Sequence, residues 1–258
     1  MTLVFLVAAL VLHPPWAELA RGLLPTWPAR EGGEYWSLAV GILGASITPY
    51  VFYFYSSGAV EDRWDRGYLG TNRLVAIVGM TFGGVLSVAV LVVSALVFLP
   101  RGLRIERYEQ LAVMLTPALG SWGFALFVLA LGVACFSAAL EVSLALAYMV
   151  AQGLGWNWGE NVRPRDAARF ATVYTAALMV GALLVAAGAE PLALTTVAMV
   201  LTSATLPLAV LPFLIVMNDR HYLGDEVNGW VGNTVVLFVI VLACVLALVS
   251  VPLQMVGG

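Results

Sequence analysis

Two places in this chain put oxygen chemistry where a hydrocarbon setting should exclude it. The first is GASITPYVFYFYSS, residues 44–57, where a proline and several small or hydroxyl residues interrupt an apolar run. Pro49 has no N–H, so a carbonyl one turn upstream loses its helical partner. Carbonyls freed at membrane depth are tolerated only where protein or a water-filled cavity satisfies them. Transporters use such unwound carbonyls to coordinate cations. Ala45, Ser46 and Thr48 are small enough to bring the backbone close to an ion, and the Ser46 and Thr48 hydroxyls add hard oxygen ligands. Gly44 and Pro49 mark the break. The alternative is a plain proline kink whose hydroxyls bond back to their own helix.

The second place is Glu141, in FSAALEVSLALAY, the only acid well inside an apolar segment. A carboxylate at the centre of a membrane helix costs about 2.5–3.5 kcal/mol on insertion scales and marks a functional site by default. Ser137, Ala138, Ala145 and Tyr148 share its helical face. That small, polar stripe suits close packing against another helix or the lining of a cavity. Glu141 is therefore read as a cation ligand or proton carrier, against the alternative of a neutral acid hydrogen-bonded in a core. The remaining candidates are read more plainly. His13 and His221 are surface histidines, and Cys135 and Cys244 are small buried residues without zinc spacing. Glu61, Asp62 and Asp65, just after the broken helix, read as a solvated helix end rather than a cation exit. No Ser/His/Asp set, HExxH or P-loop is present, so nothing points to an enzyme.

The elements that must carry these groups follow from composition. The chain is 62% hydrophobic and 10% charged, with a mean hydropathy of +0.96. Soluble domains run near 45–50% apolar and about 25% charged, so this is an integral membrane protein. Its apolar runs are too long for strands and lack period-two alternation, which makes it all-α and multi-pass. Crossing about 30 Å of hydrocarbon takes about 20 residues. Segments near 36–57, 74–99, 121–152, 168–188, 192–217 and 230–256 meet that length, and 2–13 is a shorter seventh. They are read as one transmembrane domain over 1–258, incomplete at its N-terminus. The opening stretch lacks a basic region and a small-residue cleavage site, so it reads as a truncated membrane helix rather than a signal peptide. Connectors 14–35 and 100–120 share one side of the bilayer, and 58–73, 153–167 and 218–229 the other. All cationic residues are arginine, divided five to seven in favour of the second side, which the positive-inside rule puts in the cytoplasm. A net charge of −3 and the lack of a basic run exclude a nucleic-acid partner.

Three stretches carry a family resemblance. VGILGASITPYVFYFYSS resembles the sixth helix of the Nramp divalent-metal transporters, which typically reads Gly-Ala-Thr-Val-Met-Pro-His-Asn-Leu-Tyr-Leu-His-Ser. LHPPWAELARGLLPTWP is similar to the end of that family's fifth helix and its following loop. LPLAVLPFLIVMNDRHYLGDEVNGW is similar to the end of the tenth helix and the start of the eleventh. The resemblance implies a partial leucine-transporter-type fold, the second five-helix inverted repeat with flanking helices and a midplane ion site. It places Ala45 where the family's alanine carbonyl contacts the metal, and Thr48 where the family has a methionine. Exchanging a thioether for a hydroxyl hardens the site toward Mn²⁺ or Mg²⁺. Tyr50 and Tyr55 stand where the family has histidines linked to proton movement. Tyrosine, with a pKa near about 10, cannot carry protons at neutral pH.

The chain therefore looks like a divergent member near the Nramp-related magnesium transporters, without proton coupling. Met199 lies near the position of a glutamine that closes around the metal in the family, and is either a ligand or ordinary packing. Glu141 has no counterpart in the family pattern. The expected setting is a bacterial inner membrane, with a transported divalent cation as the only ligand and no resident cofactor. The family's first helix, with its Asp-Pro-Gly-Asn ligands, is absent from these residues. The other half of the site is expected from N-terminal helices of the same protein or from a separate chain. Two readings compete: a transporter of the same fold for a small organic substrate, with Thr48, Tyr50 and Glu141 as contacts, or a non-transporting membrane subunit or remnant.

Overall fold

The computed structural model describes residues 2–22, 35, 42, 46, 48–102 and 108–256, with backbone alone at 2, 108, 109, 112, 200, 203, 243 and 246–256. Every regular element among them is helical. In chain order they are α1 (Thr2–Val11), α2 (Trp16–Gly22), α3 (Pro49–Glu61), α4 (Tyr68–Phe98), the short α5 (Tyr108–Leu111) and α6 (Thr116–Leu119), then α7 (Ser121–Gly153), α8 (Ala168–Ala186), α9 (Pro191–Met217), the short α10 (Arg220–Leu223) and α11 (Trp230–Val256).

Among the described residues, α4 with its 3₁₀ extension to Arg101, α7 and α8 are long and apolar enough to cross a membrane. The two halves of α9 make a fourth if they form one span. These match the expected segments closely, although α4 begins earlier than expected, at Tyr68. The expected span 36–57 falls largely outside the described residues. Its described part is α3, which runs past the expected end as far as Glu61. The last helix, α11, runs over 27 residues, Trp230–Val256, along the expected segment 230–256. Within α9, Pro191–Met199 and Ala204–Met217 meet at 44°. The bend falls one turn before Pro207, whose ring displaces the carbonyl four residues upstream.

The helices gather into two compact units, the described residues of Met1–Thr26 with Ser56–Ala182, and those of Trp27–Tyr55 with Leu183–Gly258. In the first, α1 packs on α4, and the buried Ala8, Ala9 and Ala89 let the two backbones approach closely. Phe5 meets Phe127 edge-on with ring centroids 6.2 Å apart. Gly123 in α7 lies directly against the Leu115 backbone.

In the second unit α9 packs on α11 through Leu206, Val210 and Leu214 against Val236, Ile240 and Cys244, one residue per helical turn on each side. Phe52 of α3 joins this cluster and lies 5.5 Å from the Phe213 ring. Beyond the apolar contact, Asn218 and Asn233 exchange side-chain amide bonds of 2.9 and 2.6 Å. The Asn228 N–H donates to the Met217 carbonyl at 2.8 Å, satisfying one of the open carbonyls at the end of α9.

Candidate functional site

Around the proline the backbone changes character within a few residues. Ile42 and Ser46 have helical backbone, Thr48 lies outside any helix, and Pro49 is the first residue of α3. Proline is well suited to that position, because a first helical N–H has no intrahelical partner to lose and the ring presets φ. Pro49 therefore starts a helix rather than kinking one. The Ser46 hydroxyl donates to the Ile42 carbonyl at 2.7 Å, the back-bonding expected of the plain-kink alternative. The Thr48 carbonyl accepts the Val51 N–H at 3.2 Å. Thr48, Pro49 and Tyr50 are half-buried, whereas Tyr55 is exposed. Gly44 and Ala45 lie outside the described residues. Met199 is half-buried on the first half of α9. Among the described residues no group of three or more His, Cys, Asp or Glu side chains comes together.

Glu141 sits in the middle of α7, in the first unit, and is exposed. The Ser137 hydroxyl donates to it across one helical turn at 3.4 Å. The stripe predicted for its face is covered only at its C-terminal end. Ala145 and Tyr148 are buried, while Ser137, Ala138 and Glu141 are exposed. Cys135, expected to be buried, is exposed on the same outward part of α7, and Cys244 is half-buried. The reason is shared: α7 presents most of its apolar surface outward, with only a small share of its spanning stretch buried. His13 and His221 are exposed, as expected.

Glu61 corrects the reading of a solvated helix end. The Tyr148 hydroxyl donates to its carboxylate at 2.6 Å, and the N–H groups of Glu160 and Asn161 donate at 3.1 and 2.8 Å. One turn earlier, buried Ser57 accepts the Gln152 amide at 2.8 Å. Tyr148 is itself buried, held by the Phe170 ring at 5.1 Å and the Trp158 ring at 5.6 Å. The loop wraps the carboxylate so closely that a Cβ on Gly159 would lie 2.8 Å from Glu61 Oε1, and Gly159 has φ 138°, a conformation that favours glycine.

A carboxylate in the last turn of a helix opposes the helix dipole at a cost of about 0.3–1 kcal/mol. Convergent backbone N–H groups make the kind of concavity that binds anions and offsets that cost. Partial burial pushes the Glu61 carboxyl up. The bonds from Tyr148, Asn161 and Glu160 together outweigh it and hold the group below the usual carboxylate range. The only local signal for this joint was the misplaced charge at the helix end; its partners lie 87 to 100 residues away.

Comparison with known proteins bears on this arrangement. Residues 1–252 match the family model described as natural resistance-associated macrophage protein-like, Nramp. A divalent metal cation transporter MntH of Caldanaerobacter subterraneus subsp. tengcongensis is 28% identical over 227 residues, covering 83% of this chain and 50% of that protein. The MntH of Yersinia pestis (strain Pestoides F) is 30% identical over 248 residues, covering 92% of this chain and 56% of its own. That of Vibrio campbellii is 25% identical over 240 residues, covering 92% and 54%. The chain spans about half the length of the curated relatives it matches.

Proposed function

Because this chain belongs to the Nramp family, we propose that it forms part of a transporter that carries divalent metal cations across a bacterial inner membrane. The observation that carries this reading is the break at Thr48, where non-helical backbone meets a helix opened by proline. Such a junction offers carbonyl and hydroxyl oxygens together, a donor set suited to a hard dication. On this reading the fold is part of a leucine-transporter-type arrangement, and residues beyond this stretch complete the ligand shell. Ala45 and Thr48 supply this half of the site, with Ser46 and Met199 beside it. Thr48 in place of a thioether favours Mn²⁺ and Mg²⁺ over softer ions. Tyr50 and Tyr55 stand where the family has histidines linked to proton movement, so on this reading transport runs without proton coupling, as in the Nramp-related magnesium transporters.

Flux measurements on the full-length protein in proteoliposomes test this directly. Mn²⁺ and Mg²⁺ uptake should follow the metal gradient alone, with no acidification of the vesicle interior. Absence of flux for both ions defeats the metal reading and favours an organic substrate, and acidification that tracks metal entry defeats uncoupled transport.

Glu141→Gln is the companion test of the second candidate. If the carboxylate lies on the ion path, losing its charge removes an interaction worth about 1.5–3 kcal/mol and slows flux about ten- to a hundredfold. Wild-type rates in a folded Glu141→Gln protein assign Glu141 a structural role.

A further inference from the structure

The helix that begins at the proposed site ends in a polar joint. Along α3, Ser57 and Glu61 lie one turn apart on the same face, and each binds α7. Their partners, Gln152 and Tyr148, are likewise one turn apart, so one turn forward on α3 matches one turn back on α7. The loop at Glu160 and Asn161 also closes over the same carboxylate. Two separate segments, α7 and the loop after it, therefore converge on the last turn of a helix of only 13 residues. Nearer its start, Phe52 packs against Phe213. No apolar packing explains an acid at Glu61, since an uncharged side chain there would avoid the clash with the helix dipole.

We propose that Glu61 is a positioning residue for transport, whose joint with Tyr148 and the N–H groups of Glu160 and Asn161 anchors the helix that presents Thr48 and Pro49 to the ion. This rests on the metal-transport reading above. At about 1.5 Å of rise per residue, Glu61 stands roughly 20 Å along the helix from Thr48, too far to touch the ion. It acts through the helix whose last turn it holds, not by contact with the ion.

The test is Glu61→Gln in the full-length transporter, with rates normalised to folded protein by size-exclusion. The maximal Mn²⁺ rate should fall about tenfold, and the KM for Mn²⁺ should stay within about twofold, because the anchor but no ligand is lost. Amide hydrogen exchange at Glu160 and Asn161 should accelerate in the same variant, and adding Tyr148→Phe should slow transport no further. A wild-type maximal rate, or a large change in KM, overturns the positioning role. Unchanged exchange at Glu160 and Asn161 overturns the joint itself. If the wild-type protein carries no metal, the transport reading fails instead, while the exchange measurement still reports on the joint.

Discussion

Truncating Tyr148 to alanine should lower thermal stability in detergent by more than any other single change within the first unit. The side chain is 1% exposed and is the largest fully buried one in the described structure. Removing a buried aromatic ring costs about 3–5 kcal/mol through lost contacts and the cavity left behind. Here the ring also fills the space between Phe170 and Trp158. Its hydroxyl bonds an ionised group, and such bonds contribute about 1.5–3 kcal/mol. The two terms share one site and do not simply add, so a loss of about 4–6 kcal/mol is expected, a fall in Tm on the order of 10–20 °C.

Tyr148→Phe separates the terms. It keeps the ring and should cost only the hydrogen bond, about 1.5–3 kcal/mol at neutral pH. The pH dependence has a definite sign. Glu61 is held below its unfolded-state pKa. Its contribution is therefore fully present above the unfolded carboxylate value of about 4.3, and is lost as pH falls through the lower folded value. The difference in Tm between wild type and Tyr148→Phe should be constant from neutral pH down to that range and shrink below it. A difference that persists unchanged into acid would remove Glu61 as the partner that matters.

Gly123→Ala should also destabilise the first unit, for a steric reason. A Cβ at Gly123 would lie 2.5 Å from the Leu115 carbonyl oxygen and 2.7 Å from its carbon. Both are backbone atoms, so no side chain can swing aside to relieve the contact. The start of α7 must instead move away from the turn at Leu115, pulling Phe127 off the core that also holds Met114 and Leu115. Overpacking of this kind costs about 1–3 kcal/mol, and a rigid backbone neighbour places it at the upper end. Gly132, on the same helix, is the control, because nothing lies within 4 Å of a Cβ there. Gly132→Ala should raise stability by about 0.5–1 kcal/mol through helix propensity. Opposite signs at two glycines of one helix are the measurement to make. Equal effects would show that α7 does not bear on the Leu115 turn as described.

What could be read without coordinates was whatever depends on local composition. The long helices stand almost where continuous apolar runs put them, as with 121–152 against Ser121–Gly153, because span length follows from hydrocarbon thickness and helix rise alone. Pro49 was legible as a break for the same reason, since a missing N–H acts on its own turn. The family, too, was written in short contiguous stretches such as GASITPYVFYFYSS.

The side on which a charge finds its partners was not legible. Glu61 reads as a solvated end from its neighbours Asp62 and Asp65, and only the folded chain brings Tyr148, Glu160 and Asn161 to it. Glu141 shows the converse, for its stripe is one continuous face in sequence yet is covered only from Ala145 onward. Hydrophobic and backbone terms act over one helical turn, so the sequence by itself determined the all-helical membrane class, the long helices α4, α7, α8 and α9, the break at Thr48–Pro49 and the family. Hydrogen bonds and close packing require atoms from distant segments within a few ångströms. Only the tertiary structure therefore decided that Pro49 opens a helix whose far end is anchored through Glu61.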